Sequence, residues 1–230
     1  TQMHLDVSNM VRVRLSNFYG IEVEEWPARI AETAMFLVDQ QSNHELAATF
    51  GNAPDRLPIM NAVNITVSNA LRIDWERVLP AGECSYVVGN PPFVGMSLMT
   101  AEQQEDNRLV FAEVDGGPRT GRLDYVACWY AKAVQYAKSS SVRIALVSTN
   151  SITQGEQARE IGPLLHNNGF AIDFAHRTFA WSSEAPGSAQ VHVVIVGFSA
   201  GAELAAPAAL FFDAFTAANN GPNDPLAQVS

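Results

Sequence analysis

Lysine is nearly missing from this 230-residue chain. It occurs only as Lys132 and Lys138, so arginine supplies almost all of the positive charge, and 14 basic side chains face 24 acidic ones for a formal net charge of −10. With a pI near 4.9, that deficit excludes a domain that grips nucleic acid unaided, because neutralising phosphates takes a surplus of Lys and Arg. Any action on DNA would borrow its positive surface from elsewhere. Cysteine is scarce as well: Cys84 and Cys128 are too few for a disulfide framework, lack metal-ligand spacing, and fit reduced thiols in a cytoplasm. No apolar run approaches the roughly 20 residues of a membrane span. The opening TQMHLDVSNM has no cationic start followed by an apolar stretch, so it is no secretory signal and reads as the middle of something longer. Disorder is excluded in turn, because 47% of the residues are hydrophobic, enough for an ordinary core.

Short apolar runs alternate with longer helical ones, the pattern of an α/β layer fold. NFYGIEV at 17–23 reads as a strand. EWPARIAETAMFLVDQQ at 25–41 follows as a helix with Pro27 in its first turn and Ala31, Ala34, Met35, Leu37 and Val38 available for its inner side. Residues 44–62 read as a connection, 63–71 as a strand leading into a polar turn with Asp74 and Trp75, and 85–89 as a short buried strand. A polar excursion at 94–122 precedes the clearest amphipathic helix, 123–138. A strand at 143–149 is followed by a helix at about 154–167, capped by Asn150 or Ser151 and closed by Gly169. Strands at 170–175 and 191–198 flank the loop HRTFAWSSEAPGSAQ, and the Ala-, Asn-, Gly- and Pro-rich residues from about 200 to 230 read as a tail that wraps the surface or frays. A hairpin-like pair after βα units implies a mostly parallel sheet with one reversed strand.

The most informative tetrad is Asn90-Pro91-Pro92-Phe93, directly after the strand SYVVG. Consecutive prolines set two φ angles, remove two donors and push Asn90 away from helical geometry. The resulting stiff platform offers the amide of Asn90, acceptors from the prolines and the aromatic face of Phe93. It suits an exocyclic amino group on a planar base, with the Asn90 oxygen and the Pro91 carbonyl accepting the two N–H bonds while Phe93 stacks on the ring. The same residues also read as a plain proline turn ending a strand. Their place at a strand's carboxyl end, where open α/β sheets bind ligands, favours function.

VVGNPPFVG resembles the (N/D)PP(Y/F) motif of S-adenosylmethionine-dependent amino-methyltransferases acting on DNA. NFYGIE, LDYVACWYAKA, STNSITQGEQ and HRTFAWSSEA resemble the methyltransferase region of MmeI-like type II restriction-modification enzymes, over residues 17 to 199. The resemblance implies an α/β, Rossmann-like class I methyltransferase sheet in a catalytic domain at 1–199, with 200–230 as an extension or linker. It implies methyl transfer to the amino group of a flipped adenine; Asn at 90 leans toward adenine, since cytosine enzymes more often carry Ser there. Carried over by position, Asn90, Pro91, Pro92 and Phe93 are catalytic and Phe179 is the second aromatic stacking on the base. Glu22 holds the ribose hydroxyls of S-adenosylmethionine, Asp74 and Trp75 hold its adenine, and Ser148 to Ser151 shape the pocket. No metal is implied, and His176, Arg177 and His192 have no metal or triad spacing. The implied partners are double-stranded DNA, through the intact protein, and fused endonuclease and target-recognition domains, with self-association through exposed sheet edges.

The chain departs from that pattern at its start. The family carries a first strand with a glycine-rich cofactor turn ahead of NFYGIE, whereas the first 16 residues here contain no glycine. The expected sheet is therefore incomplete, its gap open to VRVRL at 11–15 or to a neighbouring molecule, and the isolated chain is expected to bind cofactor weakly and to be inactive. Two readings of other classes stand beside this one: a catalytically inactive structural module of a restriction-modification protein, and an amino-methyltransferase acting on protein or RNA, which NPPF alone would also admit.

Overall fold

A computed structural model of the protein describes residues 12–51, 63–114, 123–181, 191–201 and 209–211. The chain divides into two compact units, Thr1–Leu79 and Pro80–Ser230, so the stretch read as one catalytic domain spans both.

The first unit is a βαβ arrangement. Strand β1, Tyr19–Glu22, leads into helix α1, Glu25–Phe50, and strand β2, Asn64–Val67, pairs parallel to β1 with Tyr19 opposite Asn64 and Glu22 opposite Val67. Pro27 lies in the first turn of α1, where a missing N–H breaks no helical bond. The helix continues nine residues past the expected 41, because HELAATF is built largely of good helix formers, and it stops where Gly51 takes φ 75°. Its buried residue is Ala28, while Ala34, Leu37 and Val38, expected inside, are exposed. Apolar side chains occur all round this helix, so their positions did not mark the inner face. VRVRL supplies no strand over its described part. Residues 12–14 are irregular and Leu15–Asn17 form a 3-10 turn, closed by the Arg14 N–H donating to Asn17 Oδ1 at 2.9 Å.

The second unit is built on a five-stranded sheet in the order β3-β4-β6-β5-β7. Its strands are β3, Tyr86–Gly89; β4, Arg143–Thr149; β5, Phe170–Trp181; β6, Val191–Ala200; and β7, Ala209–Phe211. β3 and β4 pair parallel, β6 runs antiparallel to both β4 and β5, and β7 runs parallel to β5. The sheet is thus mostly parallel with one reversed strand, as expected. β7 falls in the stretch expected to be a surface tail, and β5 continues through HRTFAW, expected to be loop.

Helix α2, Ala101–Ala112, lies in the supposed polar excursion. Thr100 caps it, accepting from the Gln103 N–H at 3.2 Å while the Thr100 N–H donates to Gln103 Oε1 at 3.0 Å. Its buried residues are Asp106, Asn107, Val110 and Phe111. Half of that face is polar, which hides it from a search for apolar periodicity, and Asp106 is satisfied there by the Tyr125 hydroxyl at 2.8 Å. Helix α3, Ala127–Ala137, is buried along most of its length, and helix α4, Gly155–Asn167, follows β4. The expected cap for α4 is not used: Gln154 occupies the N-cap without a side-chain bond, and Asn150 and Ser151 sit in a preceding 3-10 turn with other partners.

The core of this unit lies where α3 meets β4 and β6. Ile144, Leu146 and Ser148 alternate inward along β4. Tyr130 stacks on Phe198 at 5.5 Å between centroids, Phe170 meets Phe198 edge-on at 6.0 Å, and the Tyr130 hydroxyl bonds Ser148 Oγ at 2.9 Å. Because Phe198 is fully buried between two rings, Phe198→Ala is expected to destabilise the fold by roughly 3–5 kcal/mol, read as a lowered urea midpoint with the slope unchanged.

Candidate active site

Strands β3, β4 and β5 point the same way, so their carboxyl ends share one edge of the sheet. Each end carries a segment marked in the sequence: Asn90-Pro91-Pro92-Phe93 after β3, Asn150 and Ser151 after β4, and Phe179 near the end of β5.

The end of β3 lies hard against β4. A Cβ added at Gly89 would stand 3.2 Å from Leu146 Cδ2 and 3.9 Å from Pro91 Cδ, so the absence of a side chain permits this approach. Beyond it Pro91 is buried, Phe93 half-buried, and Asn90 and Pro92 exposed. The Pro92 carbonyl accepts from the Val94 N–H at 3.2 Å, closing the tetrad into a tight bend. Among the described residues, neither the side-chain amide of Asn90 nor the carbonyl of Pro91 takes part in a hydrogen bond. Both stand as free acceptors on a stiff backbone, with a partly exposed aromatic ring three residues on.

The ends of β4 and β5 are tied together by polar side chains. Thr178 Oγ1–H donates to Asn150 Oδ1 at 2.8 Å, drawing the end of β5 toward that of β4 across the start of β6. Against β6, β5 advances three residues from His176 to Phe179 while its partner advances two, from Ile195 to Val193. This one-residue bulge reverses the side-chain alternation beyond it and so decides which way Phe179 faces. Phe179 is half-buried and meets the His176 ring edge-on at 5.1 Å.

Glu22, Asp74 and Trp75 belong to the first unit. Glu22 ends β1, half-buried, and its Oε1 accepts the N–H groups of Val23 at 2.8 Å and Glu24 at 3.3 Å. Two backbone donors orient that carboxylate, and its acceptor capacity is far from used up. Asp74 is exposed and caps a 3-10 turn, Trp75–Arg77, through Oδ1 and the Glu76 N–H at 3.1 Å. Trp75 is buried, and its indole N–H donates to the Ala70 carbonyl at 2.8 Å, so the ring is packed within its own loop.

Residues 1–211 match the family described as MmeI, DNA-methyltransferase domain. The chain belongs to that family. Among known proteins it is 39% identical over 189 residues to DNA methyltransferase A of Bacillus subtilis (strain 168), covering 81% of this chain and 21% of that relative. The solved structure of the type IIL restriction-modification enzyme MmeI in complex with DNA superposes with a TM-score of 0.77 at 46% identity, over 86% of this chain and 26% of that one. This chain of the MmeI methyltransferase family therefore spans about a fifth to a quarter of these relatives' length.

Asp124, Asn150 and Ser151 carry the polar framework of the carboxyl edge. Their visible trace in the sequence is limited to LDY ahead of α3 and STNS across the end of β4. Cys128, by contrast, is fully buried, and burial with the nearby Asp106 charge pushes its thiol up to about 12, so it stays protonated at any pH near neutrality. Cys84 is partly exposed. A disulfide reagent at pH 8 should therefore label Cys84 in the native protein and reach Cys128 only after unfolding.

Proposed function

We propose that this chain performs the chemical step of an S-adenosylmethionine-dependent DNA adenine methyltransferase, as the catalytic part of a longer cytoplasmic polypeptide. The observation that carries this reading is the pair of unengaged acceptors, Asn90 and Pro91, beside Phe93 at the carboxyl edge of the sheet.

The amino group of adenine is a poor nucleophile, because its lone pair is conjugated with the ring. The Asn90 amide oxygen and the Pro91 carbonyl accept its two N–H bonds and favour the tetrahedral nitrogen of the transition state. Because the prolines hold both acceptors on a fixed backbone, little reorganisation is needed when the base arrives. Phe93 stacks on the flipped base, with Phe179 as the second aromatic. The cofactor, when bound, supplies a methyl group on a positively charged sulfur. Glu22 takes its ribose hydroxyls and Asp74 its adenine amino group, with Trp75, whose indole N–H is held by the Ala70 carbonyl, flanking the ring. The donor set fits: both carboxylates are oriented by backbone N–H groups through one oxygen and have lone pairs to spare.

A net charge of −10 is compatible with a neutral base pocket but not with holding a polyphosphate backbone, so the grip on DNA falls to fused target-recognition and endonuclease domains. Among the described residues β1 and β3 are each paired on one side only, and self-association would occur at those edges.

The test uses the complete protein with labelled S-adenosylmethionine and DNA. Asn90→Ala is expected to lower methyl transfer by about 100-fold or more, the scale for loss of a preorganised acceptor at the reacting atom, with the cofactor's KM changed little. Activity within a few fold of wild type would remove Asn90 from the reaction.

A further inference from the structure

The tetrad is anchored upstream by β3, but it runs downstream into Val94 and Gly95, which belong to no helix or strand. What fixes that side is a carboxylate from a distant part of the chain. Asp124 Oδ1 accepts the Met96 N–H at 3.0 Å, and the next residue closes the joint, the Tyr125 N–H donating to the Val94 carbonyl at 2.9 Å. A Cβ at Gly95 would stand 3.8 Å from Asp124 Oδ1, so the backbone and the carboxylate are in close contact there. The other oxygen faces the end of β4: Ser151 Oγ–H donates to Asp124 Oδ2 at 2.8 Å. Ser151 has one hydroxyl proton, and it is spent on Asp124. The Thr149 hydroxyl 2.7 Å away must therefore donate to Ser151, which makes Thr149, Ser151 and Asp124 a one-way relay of hydrogen bonds. The Asp124 N–H in turn donates to Gln157 Oε1 at 3.3 Å, on α4. One half-buried carboxylate thus ties together the bend after Phe93, the carboxyl end of β4 and α4.

We propose that Asp124 is a positioning residue for methyl transfer: it holds the segment behind Phe93 against the end of β4 and thereby sets where Asn90, Pro91 and Phe93 present the target amino group. This rests on the function proposed above. An uncharged, non-bonding side chain at 124 leaves the Met96 N–H and the Ser151 hydroxyl without their acceptor and frees the downstream half of the bend. In-line transfer tolerates little of this, since displacement of a reacting group by about 1 Å can cost on the order of 100-fold in rate.

The experiment measures kcat and the KM for S-adenosylmethionine in the complete protein on DNA, for wild type, Asp124→Ala, Asp124→Asn and Ser151→Ala. Asp124→Ala is expected to lose roughly 10- to 100-fold in kcat, with the cofactor KM within about two-fold, because Asp124 acts through the bend and not on the cofactor. Asp124→Asn keeps an acceptor for Met96, and its amide can donate to Ser151, so it is expected to recover to within about three-fold of wild type. Ser151→Ala removes one arm only and should fall between them, and it carries the test with Asp124→Asn if Asp124→Ala does not fold. A kcat for Asp124→Ala within two-fold of wild type, a rise in cofactor KM at unchanged kcat, or an Asn variant as poor as Ala would each overturn the proposal while leaving the function intact. Absence of methylation by the wild type would overturn both.

Discussion

The parallel pairing of β3 with β4 is the constraint on which the site depends. It sets Gly89 opposite Leu146, and because Gly89 has no side chain the end of β3 packs closely on the Leu146 side chain of β4. The prolines then begin at once, so the acceptors of Asn90 and Pro91 lie only one or two residues from a hydrogen-bonded strand. β4 is held on its other side by β6 through seven paired positions, and beneath by the Tyr130, Phe198 and Ser148 cluster. The bend therefore follows a strand whose one neighbour, β4, is itself paired on both sides.

Charge and architecture fit together on this view. A chain of net charge −10 presents a site whose immediate groups, Asn90, Pro91, Pro92 and Phe93, are all neutral. The carboxylates near the bend are consumed internally: Asp124 by Met96 and Ser151, Asp106 by Tyr125. A planar base is handled by shape and acceptors, while phosphate contacts call for surfaces of the opposite sign. The proposed division of labour between a neutral pocket and a separate DNA grip rests on that difference.

Much of the fold was legible because its strands are short apolar runs ended by turn residues. RIALVST matches β4 residue for residue, and SYVVG overruns β3 by one. α2 was hidden because two of its four buried residues, Asp106 and Asn107, are polar, and the inner face of α1 was misread because apolar residues surround it. β5 was cut short at Ala175 because its later part carries His, Arg and Thr and a bulge, none of which looks like a core strand. In the site, NPPF stood out because two prolines after an apolar run have few local explanations. Asp124 did not, and Asn150 and Ser151 stood out only as a local cap and through the resemblance, since polar residues at strand and helix ends usually cap or turn locally. The bonds that join them to Met96, to each other and to Thr178 span 27 or 28 positions, a distance no local pattern encodes.

The central claim, that the carboxyl edge of this sheet presents the amino group of a flipped adenine for methylation, is tested most directly by identifying the product. DNA treated with the complete protein and S-adenosylmethionine, digested to nucleosides and resolved by mass spectrometry, should contain N6-methyladenine, with about 100-fold less or lower formed by Asn90→Ala in the same time. A methyl group found on cytosine, or transferred to protein in place of DNA, would contradict the account.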